Sequence, residues 1–254
     1  MPIEIDHLGS RRFGVVLART TDAQATPEAL NAAARRLDVA MLTTRIDCAD
    51  HDRIHALEAD GHLLMDSLVY WARGLQTTCT VRSAQTAIVV RLATPDDVTA
   101  VGQVARAAFR NYVGHFHSDP KLERLSADAA YVEWAETSIR NVTADRPVLV
   151  AGLNRQISGF LTLRRNAPDE WEIVLNAVDP AAQGGGIYGH LVSAVIDHAR
   201  SAVADAAQAR LITSTQLNNY TVQRVWSRRD FHVDHAFHTF HKWYPVGQET
   251  QVAL

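Results

Sequence analysis

The chain has 254 residues, with 25 Lys and Arg against 28 Asp and Glu, a formal net charge of -3 when His is neutral. That balance lacks the basic field of a nucleic-acid or anionic-membrane binder, and no apolar run approaches the length that spans a bilayer. The opening residues, Met1 to Asp6, lack the basic and apolar regions of a secretory leader. Cys48 and Cys79 have neither metal-ligand spacing nor a disulfide framework, so the expectation is a cytoplasmic protein with free thiols.

Residues 1–75 alternate short apolar runs with helical patterns. Residues 13–19 read as a strand, 27–37 as a helix with Thr26 as N-cap and Pro27 at its first position, and 40–46 as a strand. Residues 52–59 read as a short helix ending near Gly61, and 63–71 as a third strand. This βαβαβ order predicts a small α/β domain over 1–75. A Thr-, Ser- and Gln-rich stretch around 74–86 reads as a linker, with 76–85 at its centre. A second domain is expected over 86–254. It begins with a strand at 87–92 and a helix opened by Thr94-Pro95-Asp96-Asp97, a capping-box variant. A polar, His-rich loop at 111–125 follows, then a helix at 127–141 and strands at 147–151, 156–163 and 171–178. A long helix at 184–203, a strand at 209–215, a helix at 219–229 and a closing strand at 231–244 complete the order βααβββαβαβ.

The most informative stretch runs from Val178 through Gln183, Gly184, Gly185 and Gly186 into a helix opening near Ile187 and Tyr188. Glycines let the backbone approach a ligand, and the first helical N–H groups have no internal partner. They and the helix dipole favour a pyrophosphate there. Taken by themselves the glycines also read as an ordinary turn before a helix. No Gly-Lys-Ser/Thr follows, and no βαβ unit surrounds the loop, so it is neither a P-loop nor the usual dinucleotide fingerprint.

Other polar residues carry two readings each. His117 and Asp119, in the His-rich loop, read as substrate contacts or as a base pair for an amine, or as a solvated loop. Arg164 and Arg165 meet a nucleotide phosphate or simply cap a strand end. His115, His117, His235, His238 and His241 form no metal-ligand pattern, and strand alternation sends His238 and His241 to opposite faces, so no metal is expected. The same alternation puts Glu172, Val174, Asn176 and Val178 on one face.

With Gln183-x-x-Gly186-x-Tyr188 after a strand, and with this element order, residues 86–245 resemble the GNAT superfamily of N-acetyltransferases. Its signature there is Gln/Arg-x-x-Gly-x-Gly/Ala, and Tyr188 departs from it. The resemblance implies an α/β (α+β) fold with a mixed, centrally splayed sheet, preceded here by the small N-terminal domain. It implies acetyl-CoA as cosubstrate, held by Gln183, Gly184, Gly185, Gly186, Ile187 and the Tyr188 N–H, with the amide at Val178 polarising the thioester carbonyl. A narrower resemblance is to the sugar-acyltransferase-like branch that includes the bacterial dTDP-fucosamine acetyltransferase. Residues 10–14 (Ser-Arg-Arg-Phe-Gly), 115–120 (His-Phe-His-Ser-Asp-Pro), 131–134 (Tyr-Val-Glu-Trp) and 215–219 (Thr-Gln-Leu-Asn-Asn) carry it. It places Asn219 and the helix after it at the coenzyme, and it makes the acceptor a small-molecule amine, a nucleotide-linked amino sugar. Where that branch has a tyrosine acid, this chain has Trp226, which packs on the coenzyme or fills the core. The segment at Glu172 also resembles the fourth strand of histone acetyltransferases, where the matching glutamate is the general base. A protein amine, an antibiotic amine and a non-catalytic acyl-CoA-binding module remain as alternatives. No nucleic-acid or membrane partner is expected, and the candidate assembly is a homodimer.

Overall fold

The computed structural model describes residues 1–78, 87–110, 112–154 and 156–245. Most of the expected linker, and Cys79 with it, lies outside the described residues. The chain divides into two compact units: Met1–Leu68, Val113–Ser126 and Ala236–Leu254 in one, Val69–Tyr112 and Ala127–His235 in the other. The first unit therefore draws on three separate stretches rather than on residues 1–75 alone.

In the first unit, β1 (Ile3–Ile5) pairs antiparallel with β2 (Leu17–Thr20), which runs parallel to β3 (Met41–Asp47). The end of β10 (His232–Trp243) pairs antiparallel with β3, from Phe237↔Asp47 to Trp243↔Met41. The predicted strand at 13–19 is strand only from Leu17, in β2, and its first residue, Phe13, ends a helix, α1 (His7–Phe13). The Asp6 side chain accepts from Gly9 N at 2.9 Å to open it, and Gly14, at φ 70°, closes it. Such a short helix offers no periodicity to read. α2 (Pro27–Arg36) starts at Thr26 as expected, and α3 (His51–Ala59) starts one residue early on an Asp50 cap. Their apolar faces cover Ile3, Ala18, Leu42, Ile46 and Phe240, with Leu30 and Leu57 at the centre. α5 (His115–Ser118) is a single turn within the expected His-rich loop.

In the second unit the strand order is β4-β9-β8-β7-β6-β5. The strands are β4 (Leu63–Gly74, of which residues 69–74 belong here), β5 (Val89–Leu92), β6 (Val148–Leu153), β7 (Gln156–Ala167), β8 (Glu170–Val178) and β9 (Arg210–Gln216). β5 to β8 pair antiparallel and β8 with β9 parallel, so the sheet is mixed. One face is covered by α4 (Val98–Phe109) and α6 (Arg124–Arg140), which bury Phe160, Leu175 and Ala177. The other face receives α7 (Ile187–Ser201). Gly159 lets it come close: a Cβ there would stand 3.0 Å from Ile187 and 3.1 Å from both Leu191 and Val178. α8 (Tyr220–Ser227) follows β9. The capping box at Thr94 is present, with Asp97 Oδ2 accepting from Thr94 N at 2.7 Å and Arg91 locking the same carboxylate. Arg91 and the local bonds hold that carboxyl at about 2.

Candidate functional site

Two irregularities of β8 build the site. Its parallel pairing with β9 runs from Glu170↔Arg210 to Ile173↔Thr213 and stops, although β8 continues to Val178 and β9 to Gln216. The strands fork there, with Thr213 Oγ1 reaching Ile173 O at 3.4 Å. At the same level Thr162 pairs with Leu175 and Leu163 with Ile173, so Val174 is an extra residue, a β-bulge. The bulge overturns the expectation that Glu172, Val174, Asn176 and Val178 share a face. Glu172 and Arg164 lie with Val174 on the α6 side, where Leu175 and Ala177 also pack. Val178 meets Ile187 on the α7 side. One inserted residue shifts a period-2 pattern by half a repeat.

Beyond Val178 the chain turns over Pro180–Ala182, with Asp179 Oδ1 accepting from Ala181 N at 2.9 Å. The Gln183 amide donates to Val178 O at 3.3 Å and so braces the loop. Gly184 and Gly186 have φ of 80° and 85°, a conformation that other residues adopt at a cost. A Cβ at Gly184 would meet nothing within 4 Å, and one at Gly186 only the His190 ring, at 3.8 Å, so the space over the loop is open. Gly186 is the N-cap of α7 with no side-chain cap. The N–H groups of Ile187, Tyr188 and Gly189 therefore point out of the helix without internal partners. Gly189 adds a feature that sequence reasoning missed. Its missing Cβ admits the Arg229 guanidinium, whose Nη2 would collide with a side chain there. Arg229 is held by Ser193 Oγ at 3.2 Å and Val225 O at 3.3 Å, which places a cation at the first turn of α7. No spacing relative to the glycines could have revealed it, since it comes from the far end of α8.

Trp226 is 0% exposed and touches Trp71 and Phe231 edge-on or tilted, so it is a core residue and not a coenzyme contact. Its Nε1 donates to Tyr188 Oη at 2.8 Å. Burial pushes the Tyr188 phenol above its ordinary range, and that side chain turns inward while its backbone opens the helix. The two departures from the family pattern are thus a matched pair. Asn219, at the start of α8 and past the fork, is half-buried and donates to Thr215 Oγ1 at 2.9 Å.

Glu172 lies one residue before the fork. Its Oε2 accepts from Arg164 at 2.5 Å and from the Asn166 amide at 3.0 Å. Both bonds fall on the same oxygen, so Oε1 is left to accept another proton. Val178 is six residues further along β8, roughly 20 Å at about 3.3 Å per residue. One thioester carbonyl cannot meet both, which separates the roles expected for these two residues.

His117 and Asp119 belong to the first unit, and the structure gives them different surroundings. His117 Nδ1 accepts from Gly114 N at 3.2 Å and closes the α5 turn. Asp119 is 2% exposed. Its Oδ2 accepts from His241 Nδ1 and Trp243 Nε1, both at 2.8 Å, and its Oδ1 from Lys121 N at 3.0 Å. With Nδ1 donating to a carboxylate, His241 Nε2 accepts from His115 Nδ1 at 2.9 Å, completing a chain Asp119–His241–His115. Burial alone would raise the Asp119 carboxyl, but the bonds from His241, Trp243 and Lys121 outweigh it and hold it below its ordinary range. Burial, with the charges of His241, Arg45 and His117, pushes His115 well below 6.5. An enclosed carboxylate with three donors is an anchor, not a base waiting for a substrate. His238 instead meets Ser67 Oγ at 2.8 Å, and among the described residues no group of three or more metal-binding side chains comes together.

Residues 110–231 match the acetyltransferase (GNAT) family. The spore coat polysaccharide biosynthesis protein SpsD of Bacillus subtilis (strain 168) is 28% identical over 151 residues, 59% of this chain and 48% of that protein. The chain thus spans about half the length of this curated relative. Among solved structures, a GCN5-related N-acetyltransferase from Sphaerobacter thermophilus aligns over 95% of this chain and 76% of its own, with a TM-score of 0.64 and 14% identity. A GCN5-related N-acetyltransferase from Kribbella flavida aligns over 91% and 82%, with a TM-score of 0.57 and 11% identity. At such identities the likeness is one of fold. Forked sheet and glycine loop agree with the match of residues 110–231 to the acetyltransferase (GNAT) family.

Proposed function

We propose that this protein transfers the acetyl group of acetyl-CoA to the amine of an amino sugar carried on a nucleotide. The observation that carries this reading is the fork between β8 and β9 opening beside an uncapped glycine loop. The pyrophosphate binds the N–H groups of residues 184–188, with the Arg229 guanidinium adding positive charge. Gln183 shapes the loop through Val178 O. The pantetheine arm runs from Val178, past Asn219, into the fork and pairs with the freed edge of β8. The thioester then lies toward the Val174 bulge. There a backbone N–H polarises the carbonyl more effectively than Val178 does at the far end.

The acceptor amine is protonated near neutral pH and must lose a proton to attack. Glu172 Oε1 takes that proton. The amine nitrogen forms a bond to the carbonyl carbon and is then cationic. It gives its second proton to solvent as the tetrahedral intermediate collapses, the C–S bond breaks and the coenzyme thiolate leaves. Solvent protonates the thiolate, a tolerable leaving group with a conjugate acid near about 8.5. Trp226 has no part in this step. SpsD, named for polysaccharide biosynthesis, supports a sugar-side acceptor. Acetyl-CoA is to be offered with uridine- and thymidine-diphosphate amino sugars, peptides and aminoglycosides while free thiol is followed. Release is expected with the nucleotide amino sugars above the other amines. If acetyl-CoA binds and no amine accelerates thiol release, the transferase reading is wrong.

A further inference from the structure

A cleft of about 210 Å³ opens on the α6 side of the second unit, walled by Trp134, Ser138 and Asn141 of α6 and its end, Arg146 before β6, Arg164 of β7 and the bulge residue Val174. Its contents are unusual for a surface hollow. Arg146 is exposed and lines the cleft, and its guanidinium has no hydrogen-bond or ion-pair partner among the described residues, so its donors are available there. Arg164 contributes a second cation, and Glu172 and Asn166 hold it in place through Oε2 and Oδ1. Trp134 is 45% exposed, an indole face left in water where an aromatic of that size is ordinarily covered. Ser138 Oγ is turned back on Trp134 O at 2.8 Å, which keeps the helix surface beside the indole regular, while the Asn141 amide is without a partner among the described residues.

We propose that this cleft binds the phosphate-bearing, ring-containing part of the acceptor. The Arg146 fork matches a phosphate, because its planar donors bind two oxygens as a pair, while Arg164, with Nε and Nη2 already given to Asn166 and Glu172, adds only its remaining donors. An exposed indole stacks on a nucleobase or on the C–H face of a sugar ring. The Asn141 amide and the Thr137 hydroxyl, on the same wall, supply hydroxyl recognition. Arg164 is opposite Glu172 in the register and bonded to it, so Glu172 borders the cleft, and a phosphate held at Arg146 leaves the amine end of the same molecule toward Glu172. The volume suits one ring with its phosphate, not a polymer or a whole dinucleotide. The arginines and the indole thereby set acceptor specificity, a role distinct from coenzyme binding. This inference rests on the amine-acetyltransferase reading for the orientation of the acceptor. The binding of phosphate and ring does not depend on it.

The test uses the full chain with coenzyme A present, so that the glycine loop is filled. Uridine diphosphate, glucosamine 6-phosphate, unphosphorylated glucosamine and inorganic phosphate are titrated in turn while tryptophan emission is read. The two phosphorylated rings are expected to quench emission saturably, glucosamine not to, and the quench to vanish in Trp134→Phe. Arg146→Ala is expected to weaken binding roughly 10-fold or more, Arg146→Lys less, with acetyl-CoA affinity unchanged in both. Tighter binding of uridine diphosphate than of glucosamine 6-phosphate assigns the phosphate to a nucleotide, and the reverse order to a sugar phosphate. Equal affinity for glucosamine and its phosphate, an unaltered affinity in Arg146→Ala, or no quench by any probe overturns the proposal. Because these readouts need no acetyl transfer, their failure is separate from that of the enzyme reading, which shows instead as absent thiol release.

Discussion

The glycine loop of the second unit and the buried histidine chain of the first are built on opposite plans. Around Gly184 and Gly186 backbone donors are left without partners and the space above them is open. Around Asp119 every oxygen has a donor and the group is closed off from water. Unmet donors in an open place are a demand for a ligand, whereas met ones in a closed place are a means of holding the chain together. Both regions are polar, and by residue type both are candidate sites. Only the count of satisfied groups tells them apart. Glu172 is the intermediate case, half satisfied, with one oxygen bound and one free.

That half-satisfied carboxylate gives the largest expected effect. Glu172→Gln should lower single-turnover acetyl transfer by about 10²–10⁴-fold, the usual worth of a general base, with acetyl-CoA affinity unchanged. An unaltered rate and an unaltered ascending limb against pH would place Glu172 with the anchors. Asp119→Ala should act on the folded state. Removing one partner of a buried charged group costs about 3–5 kcal/mol, read as a loss of denaturation midpoint. A variant of wild-type stability would show that the Asp119–His241–His115 chain contributes nothing to the fold. Gly186→Asp should do the reverse of Asp119→Ala. It puts a carboxylate into the anion loop at φ 85°, so acetyl-CoA affinity should fall roughly 100-fold while the stability of the ligand-free protein drops only by about 1–2 kcal/mol. Full coenzyme binding by this variant would move the site away from the loop.

The smallest effect sharpens the closed side of the comparison. His62 is buried, with Lys242 and Asp60 as the charged groups facing it, and burial, then Lys242, pushes it from 6.5 to about 4. A histidine with a lowered folded-state value binds its proton more readily when unfolded. Its contribution is complete above about 6.5 and is lost as pH falls toward about 4. The acid slope of the melting temperature across that window should flatten in His62→Gln, by on the order of 1–2 kcal/mol at the low end. An identical slope in the variant would show that His62 is charged in the folded protein.

Much of this molecule is legible in its amino-acid sequence. The caps at Thr26 and Thr94, the glycine loop before α7 and the fork-bearing order of strands and helices follow from local chemistry at short spacing. α1 is not legible, because seven residues between Asp6 and Gly14 are too few for a periodic signal. Sequence order assigns residues 113–126 and the end of β10 to the second domain, yet they pack with the first unit. Strand partners many residues apart leave no local mark. The face of Glu172 is misplaced for a like reason: strict alternation is a rule for regular strands, and the extra residue at Val174 is defined only by its partner strand.

By itself, then, the sequence determined what depends on neighbours in the chain: the helix starts, the alternating strands, the glycines that permit positive φ, and the likeness of residues 110–231 to the GNAT family. Only the tertiary structure decided which polar groups end up paired. It turned Trp226 and Tyr188 into one buried hydrogen-bonded couple and brought Arg229 to Gly189. It closed Asp119 under His241 and Trp243, and it left Arg146 and Trp134 open in a cleft. The physical reason is that desolvation and hydrogen bonding are set by what surrounds a group in space. For each of these residues that surrounding is contributed by elements distant in sequence.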